Sequence, residues 1–296
     1  MRENCQIFTR KLLLYVNTIK FLKISQIVWR LWYKFSRTKI NLSPHPKIRK
    51  IPGLWINPAK KPSNLNSDGT FTIFNSTYNL CEIGWNGGGC ERLWRYHQHY
   101  FDDLNSYKSK ERLDLHRTLL LDWIAKNKLG HGTGWEPYPT SLRIINWIKW
   151  HLAGNTLSDE CAYSLALQVR WLSKKIEWHI LGNHLFANAK ALVFAGLFFQ
   201  GREANAWLAK GLRILSNEIP EQILPDGGHF ERSPMYQTII LEDILDLINL
   251  SNTFPDTLSV DFTKDLKSIA TKMLNWLTAM CHQDGEISFF NDASIG

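Results

Sequence analysis

The stretch GNHLFANAKALVFAG, residues 182–196, sets two polar side chains, Asn183 and His184, at the head of an apolar run. Behind them a helix over 184–199 would be apolar on every face, with Leu185, Phe186, Leu192, Val193, Phe194, Leu197 and Phe198. Such a helix is buried on most sides. Ala187, Ala191 and Ala195 follow at steps of four and would let a second helix come close. An amide and an imidazole at the edge of such a core read either as a site held on a rigid post or as an N-cap beside a satisfied core histidine.

A second constellation is LPDGGHFERSPMYQTIILEDILDL, residues 224–247. PDGG is a turn, and Ser233 before Pro234 is a helix start, a cap followed by proline at the first position. Tyr236 then falls in the first turn, near the positive end of the helix dipole and close in sequence to Arg232. Both would favour a phenolate. Asp226, His229, Glu231 and Arg232 crowd the seven residues before the helix, denser polarity than a solvated turn needs. The plainer reading of Tyr236 is an amphipathic residue at a core edge.

Two further stretches carry candidate groove residues. In GWEPYPTSLRIINWIKW, 134–150, two prolines predict an extended lead-in holding Tyr138, and Thr140 or Ser141 would cap the next helix. Arg143 and Asn146, at i and i+3, share a face, and an arginine there could grip a carboxylate with two parallel hydrogen bonds or make an interhelical ion pair. In ERLWRYHQHYFDDL, 91–104, aromatic residues and histidines including His99 alternate, as along a sugar-binding groove or in a packed aromatic helix. Glu136 and Asp226 are a candidate carboxylate pair for glycoside hydrolysis.

The elements that must position these residues are helical. Segments near 91–107, 110–127, 140–154, 157–178, 184–199, 202–217, 234–252 and 261–282 show helical periodicity with no βαβ alternation, which predicts helix-on-helix packing. Paired hairpins of similar length predict an all-α fold, an incomplete α/α toroid, with a plain bundle as the other possibility. Residues 41–90 read as loop with a short strand or hairpin at TFTIFNSTYNL and a turn at NGGG, 86–89. Residues 1–40 read as a basic amphipathic helical segment, either docked on the rest of the chain or lying on a membrane surface. The domain reading is therefore 1–40, 41–90, 91–284, and a break in the helical pattern at 285–296, where Gly285 ends a helix and EISFF looks extended.

The net charge of +8 belongs to one end. Residues 1–50 carry twelve Lys and Arg against Glu3 alone, leaving 23 basic and 26 acidic residues after them. With no recognition motif behind it, that charge does not predict a nucleic-acid partner. The five cysteines form no CxxC pair or Cys/His cluster, so neither a metal site nor another cofactor is expected, and the odd count speaks against a disulfide framework. The start of the chain lacks the form of an ordinary signal peptide, and no apolar run is long enough to span a bilayer.

Together, LWRYHQHYFDDL, GWEPYPTSLRIINWIKW, GNHLFANAKALVFAGLFF, EQILPDGGHFERSPMYQ and ISFFNDAS resemble the heparinase II/III family of polysaccharide lyases, in its N-terminal helical domain. VNTIKFLKISQIVWRLWYKF looks like that family's leading segment. The resemblance implies an incomplete toroid followed by a C-terminal β-sandwich, which 285–296 would begin, and β-elimination on uronic-acid-containing acidic polysaccharides. It implies that Asn183 holds the substrate carboxylate, that Tyr236 transfers the proton, and that His184 assists. Tyr138, His99, Arg143, Asn146, Glu231 and Arg232 are the expected substrate contacts. A periplasmic location is implied as well. Abstracting the C5 proton of a uronate puts negative charge beside an existing carboxylate, so that carboxylate must first be neutralised, and a tyrosine can serve as base and then as acid. A non-catalytic module that binds acidic glycans is the alternative function.

Overall fold

The computed structural model describes residues 13–15, 17–36, 38–255 and 257–294. Its helices are α1 Ile24–Phe35, α2 Leu80–Ile83, α3 Arg92–Gln98, α4 Leu113–Lys126, α5 Pro137–Leu152, α6 Asp159–Lys174, α7 Gly182–Phe198, α8 Arg202–Gln222, α9 Pro234–Thr253 and α10 Val260–Met280. Among the described residues one antiparallel hairpin, β1 Thr70–Ile73 with β2 Ser76–Asn79, stands in the otherwise irregular stretch between α1 and α2. The fold is all-α, an incomplete toroid of helical hairpins, as the periodicity predicts.

The hairpins α5/α6, α7/α8 and α9/α10 follow one another along the chain. The first helix of each pair lies inside: α5 packs on α7, and α7 on α9. The second helices return along the outside, and α10 buries little beyond Leu266, Ala270 and Met273. At the centre, α7 buries every residue from Leu185 to Phe198 and leaves only Gly182, Asn183 and His184 less than buried. Close approach to α8 is made at glycines rather than along the alanine stripe. A Cβ on Gly211 would meet the Ala189 carbonyl at 2.7 Å, and one on Gly196 would meet Leu208 at 2.6 Å.

Several element ends differ from the sequence expectation. The 91–107 segment breaks after α3, because Phe101 adopts φ 61°. That turn drives its ring into the core, stacked on Trp85 at 5.6 Å. Pro137 and Pro139 lie inside the first turn of α5 instead of in an extended lead-in, since the first amides of a helix have no intrahelical partner to lose. Neither Thr140 nor Ser141 caps α5. Helix α8 continues through Pro220 to Gln222, where a proline in the last turn costs one hydrogen bond. α10 ends at Met280, and Gly285 sits in the following turn at φ 87°. The described cysteines Cys81, Cys90, Cys161 and Cys281 are free thiols.

Candidate active site

The three inner helices bring their first turns together. Tyr138 is the second residue of α5, Asn183 and His184 the second and third of α7, and Tyr236 the third of α9. The Tyr138 and His184 rings stack with centroids 4.2 Å apart. Tyr138 also lies within electrostatic reach of Tyr236, Asp243, Asp102 and Glu177. The end of α8 and the loop before α9 close on the start of α7: Gln222 Nε2, at the last position of α8, donates to the Gly182 carbonyl at 3.0 Å, and a Cβ on Gly182 would lie 3.8 Å from Glu231 Oε1 in the loop. All four side chains are half-buried, so solvent reaches them.

His184 rests on a buried scaffold. Its Nδ1 lies 3.1 Å from Oε1 of Glu177, a carboxylate in the loop before α7. Glu177 is itself held by Asn188, nearly two turns into α7: Asn188 Nδ2 donates to Glu177 Oε2 at 3.0 Å, and Asn188 Oδ1 accepts from the Glu177 amide at 2.8 Å. Asn188 Nδ2 also donates to Ser141 Oγ of α5 at 3.0 Å. The carboxylate fixes the ring and leaves Nε2 turned from it. Glu177 gave no signal in the sequence: the periodicity places it in the last turn of a helix over 157–178, whereas α6 ends at Lys174 and leaves it in a loop. Asn183 is not the N-cap of α7; Leu181 holds that position at φ 69°. Among the described residues the Asn183 amide makes no side-chain hydrogen bond, and neither do the Tyr138 and Tyr236 hydroxyls.

Tyr236 is positioned as the Ser-Pro start predicts. Ser233 Oγ accepts from the Tyr236 amide at 3.4 Å, and Pro234 opens the helix. Gln237 ties the PDGG turn down: its Oε1 accepts from the His229 amide at 2.7 Å, and its Nε2 donates to the Gly227 and Met273 carbonyls. Gly227, at φ 90°, passes so close to α10 that a Cβ would come 2.4 Å from Lys272 backbone. Burial first, then Glu231 and Asp292 nearby, raises the Tyr236 hydroxyl above its ordinary range, the opposite of the direction expected from the helix end and Arg232. The buried His229 ring stacks on Tyr236 with centroids 6.0 Å apart, and burial pushes its pKa down to about 4, so it is neutral.

Three expected contacts lie in the core instead. Arg143 is fully buried: it donates to Gln168 Oε1 at 2.9 Å and to the Gly134 and His99 carbonyls, over the Trp123 ring at 3.9 Å. Its grip is on carbonyls, and it makes neither a substrate contact nor an interhelical ion pair. Asn146 is saturated, donating to the Tyr100 carbonyl and Asp102 Oδ1 and accepting from Asn105. His99 is sealed, accepts from Trp123 Nε1 at 3.0 Å, and burial brings its pKa to about 3. Two turns into a helix, the face shared by Arg143 and Asn146 points at neighbours, not at the rim. Glu231 and Arg232 remain exposed beside Tyr236. Of the hydrolase pair, Glu136 is bound by Arg92 and Tyr96, and Asp226 accepts from the Gly228 amide within its turn.

A separate polar cluster ties the inner helices together deeper in. Lys190 of α7 reaches Asp243 and Asp246 of α9, and Lys149 of α5 reaches Asp246. Burial opposes the Lys190 charge, but Asp243 and Asp246 more than offset it and raise its pKa. A cavity of about 420 Å³ lies between residues 56–61 and the outer face of α9, and none of Tyr138, Asn183, His184 or Tyr236 lines it.

Comparison with known proteins agrees with this fold. The heparin-sulfate lyase of Bacteroides stercoris is 32% identical over 114 residues, 36% of this chain and 17% of that protein. That of Pedobacter heparinus is 31% identical over 155 residues, 46% of this chain and 23% of that protein. The chain thus matches less than a quarter of these relatives' length. Among solved structures, a heparinase III superposes with a TM-score of 0.54 at 19% identity, covering 74% of this chain and 40% of that one. The heparan sulfate lyase of Pedobacter heparinus gives 0.52 at 20%, covering 75% and 38%. The family described as Heparinase II/III N-terminus matches residues 95–296, more than two thirds of the sequence, and the chain belongs to that family.

Proposed function

We propose that the groove at the heads of α5, α7 and α9 binds a uronic-acid-containing polysaccharide and takes part in its cleavage by β-elimination. The observation that carries this reading is the meeting of Tyr138, Asn183, His184 and Tyr236, four side chains with free polar groups, at three helix N-termini. Helix N-termini carry partial positive charge and favour a carboxylate. Asn183 donates to that carboxylate, and His184, steadied by Glu177, does so through Nε2 when protonated. This matters because Glu177, Asp243 and Glu231 make the surroundings acidic, so the substrate's charge needs local compensation.

Tyr236 enters as a phenol. Its proton suits the leaving glycosidic oxygen, and it becomes a base only when the local negative charge is offset. In the elimination Tyr236, once ionised, takes the C5 proton; the C5–H electron pair forms the C4–C5 double bond, the C4–O bond breaks with its electron pair, and Tyr236 returns the proton to the leaving oxygen. Tyr138 is the stacking face beside His184, and Glu231 and Arg232 flank the entrance. The names of the relatives make heparan-type polymers the first substrates to try.

The test is the ultraviolet absorbance of the unsaturated uronate product, measured with heparan sulfate, alginate and other uronates. Tyr236→Phe is expected to lose that signal by about 10²–10⁴-fold, far more than the weakening of its ligand binding. Cleavage without a new double bond would sink the reading, as would full activity in Tyr236→Phe. A second reading is an acidic-glycan-binding module without activity. Binding to every tested polymer with no product would select it.

A further inference from the structure

Helix α1 has two opposed faces. Gln26, Trp29 and Tyr33 face the body: Gln26 Nε2 donates to the His179 carbonyl, Trp29 stacks on Trp178 at 6.1 Å, and the Tyr33 hydroxyl bonds the Ile176 carbonyl. On the other side Ile24, Val28, Leu31, Trp32 and Phe35 are 54–80% exposed. Their spacing of four, three, one and three residues makes one continuous apolar arc. Helix α1 buries no residue at all. Lys23, Arg30 and Lys34, at intervals of seven and four, line one flank of the arc and are exposed. Leu13, Leu14, Ile19 and Phe21 extend the exposed apolar surface toward the chain start.

We propose that this outer face of α1 docks on an anionic lipid surface, with the apolar arc among the upper acyl chains and the basic flank at the headgroups. Charge decides the occupant. The first fifty residues hold twelve basic side chains and one acid, so the face suits a partner that is negative at its surface and apolar just beneath. A bilayer with acidic headgroups has both properties. An acidic polysaccharide would satisfy the cations and leave the arc in water. A second copy of the chain would bring like charges together. No described helix is long and apolar enough to cross a membrane, so α1 would lie in the surface plane. Its body-facing side stands on the loop that carries Glu177, so the docked face is joined directly to the support of the candidate groove.

The experiment is co-sedimentation of the full chain with phosphatidylcholine vesicles, with and without phosphatidylglycerol. Binding is expected with phosphatidylglycerol and to be several-fold weaker without it. Val28→Asp and Trp32→Asp alter exposed side chains, so their melting temperatures should stay unchanged while each lowers binding about tenfold. Arg30→Glu should lower it about fivefold or more. A folded chain that ignores both vesicles overturns the proposal. Binding that survives both apolar substitutions and is displaced by heparin points to an acidic-polymer surface and overturns it too. So does a dimer that Val28→Asp splits, with no vesicle binding. None of these readouts depends on lyase activity.

Discussion

The heads of α5 and α7 look alike in sequence. Each offers polar residues beside a run of large apolar ones, and each suggested a grip on a carboxylate. In α5, Arg143 and Asn146 lie two and three turns in, fully or nearly buried, with their donors spent on carbonyls, Gln168 and Asp102. In α7, Asn183 and His184 lie in the first turn, half-buried, with the Asn183 amide free among the described residues. Residue type does not separate a structural polar group from an available one. What separates them is depth along the helix and whether the hydrogen-bonding capacity is already used.

The largest effect should come from breaking the α5 side. Arg143→Ala would orphan two buried acceptors, Gln168 Oε1 and the His99 carbonyl, and open a void under Trp123, a loss of about 3–5 kcal/mol. Thermal or urea unfolding checks this, and a stability near that of the parent would return Arg143 to the list of groove residues.

Next is the support beneath the α7 site. Asn188→Ala removes three hydrogen bonds and leaves Glu177 buried with one partner fewer, for about 1–3 kcal/mol. It should also free the His184 ring, seen as a change in its imidazole nitrogen shifts. A ring that keeps its tautomer without Asn188 would mean that the scaffold does not set it.

Acid should act on the structural ion pairs. Asp103 is held by Arg112, His116 and Ser63, which overcome burial and bring its pKa to about 2. A folded pKa below the unfolded value stabilises above the unfolded pKa and is lost as pH falls toward the folded one. Stability should therefore drop by about 2 kcal/mol for Asp103 between roughly pH 4 and pH 2. Glu242, also brought to about 2 despite burial by Lys61, Lys149 and Lys190, is 40% exposed, so solvent screening leaves it a smaller share. Asp103→Asn should flatten that part of the pH profile, and an unchanged slope would contradict the assignment.

The smallest stability effects belong to the groove. Asn183→Ala and Tyr236→Phe remove groups that bond nothing among the described residues, so each should change stability by less than about 0.5–1 kcal/mol. A large destabilisation in either would make it a core residue after all.

Much of this was legible in the sequence. Helical periodicity located the inner and outer helices, because burying one face against a neighbour forces a 3.6-residue repeat. The Ser233–Pro234 start was legible because capping is local chemistry. The state of Tyr236 was not: its nearest charges include Asp292, 56 positions away and invisible to a local reading. Nor was Glu177, whose role depends on an asparagine in the next helix. Arg143 misled because a shared helix face says which residues go together and not which way they point.

The most direct measurement is a double-mutant cycle on binding of a heparan sulfate oligosaccharide, using Asn183→Ala, Tyr236→Phe and the pair, read by calorimetry. If the amide of α7 and the phenol of α9 hold one sugar unit across one groove, both singles weaken binding and the pair departs from additivity by at least about 0.5 kcal/mol. Affinity unchanged in either single variant, or strict additivity between them, would contradict the shared groove.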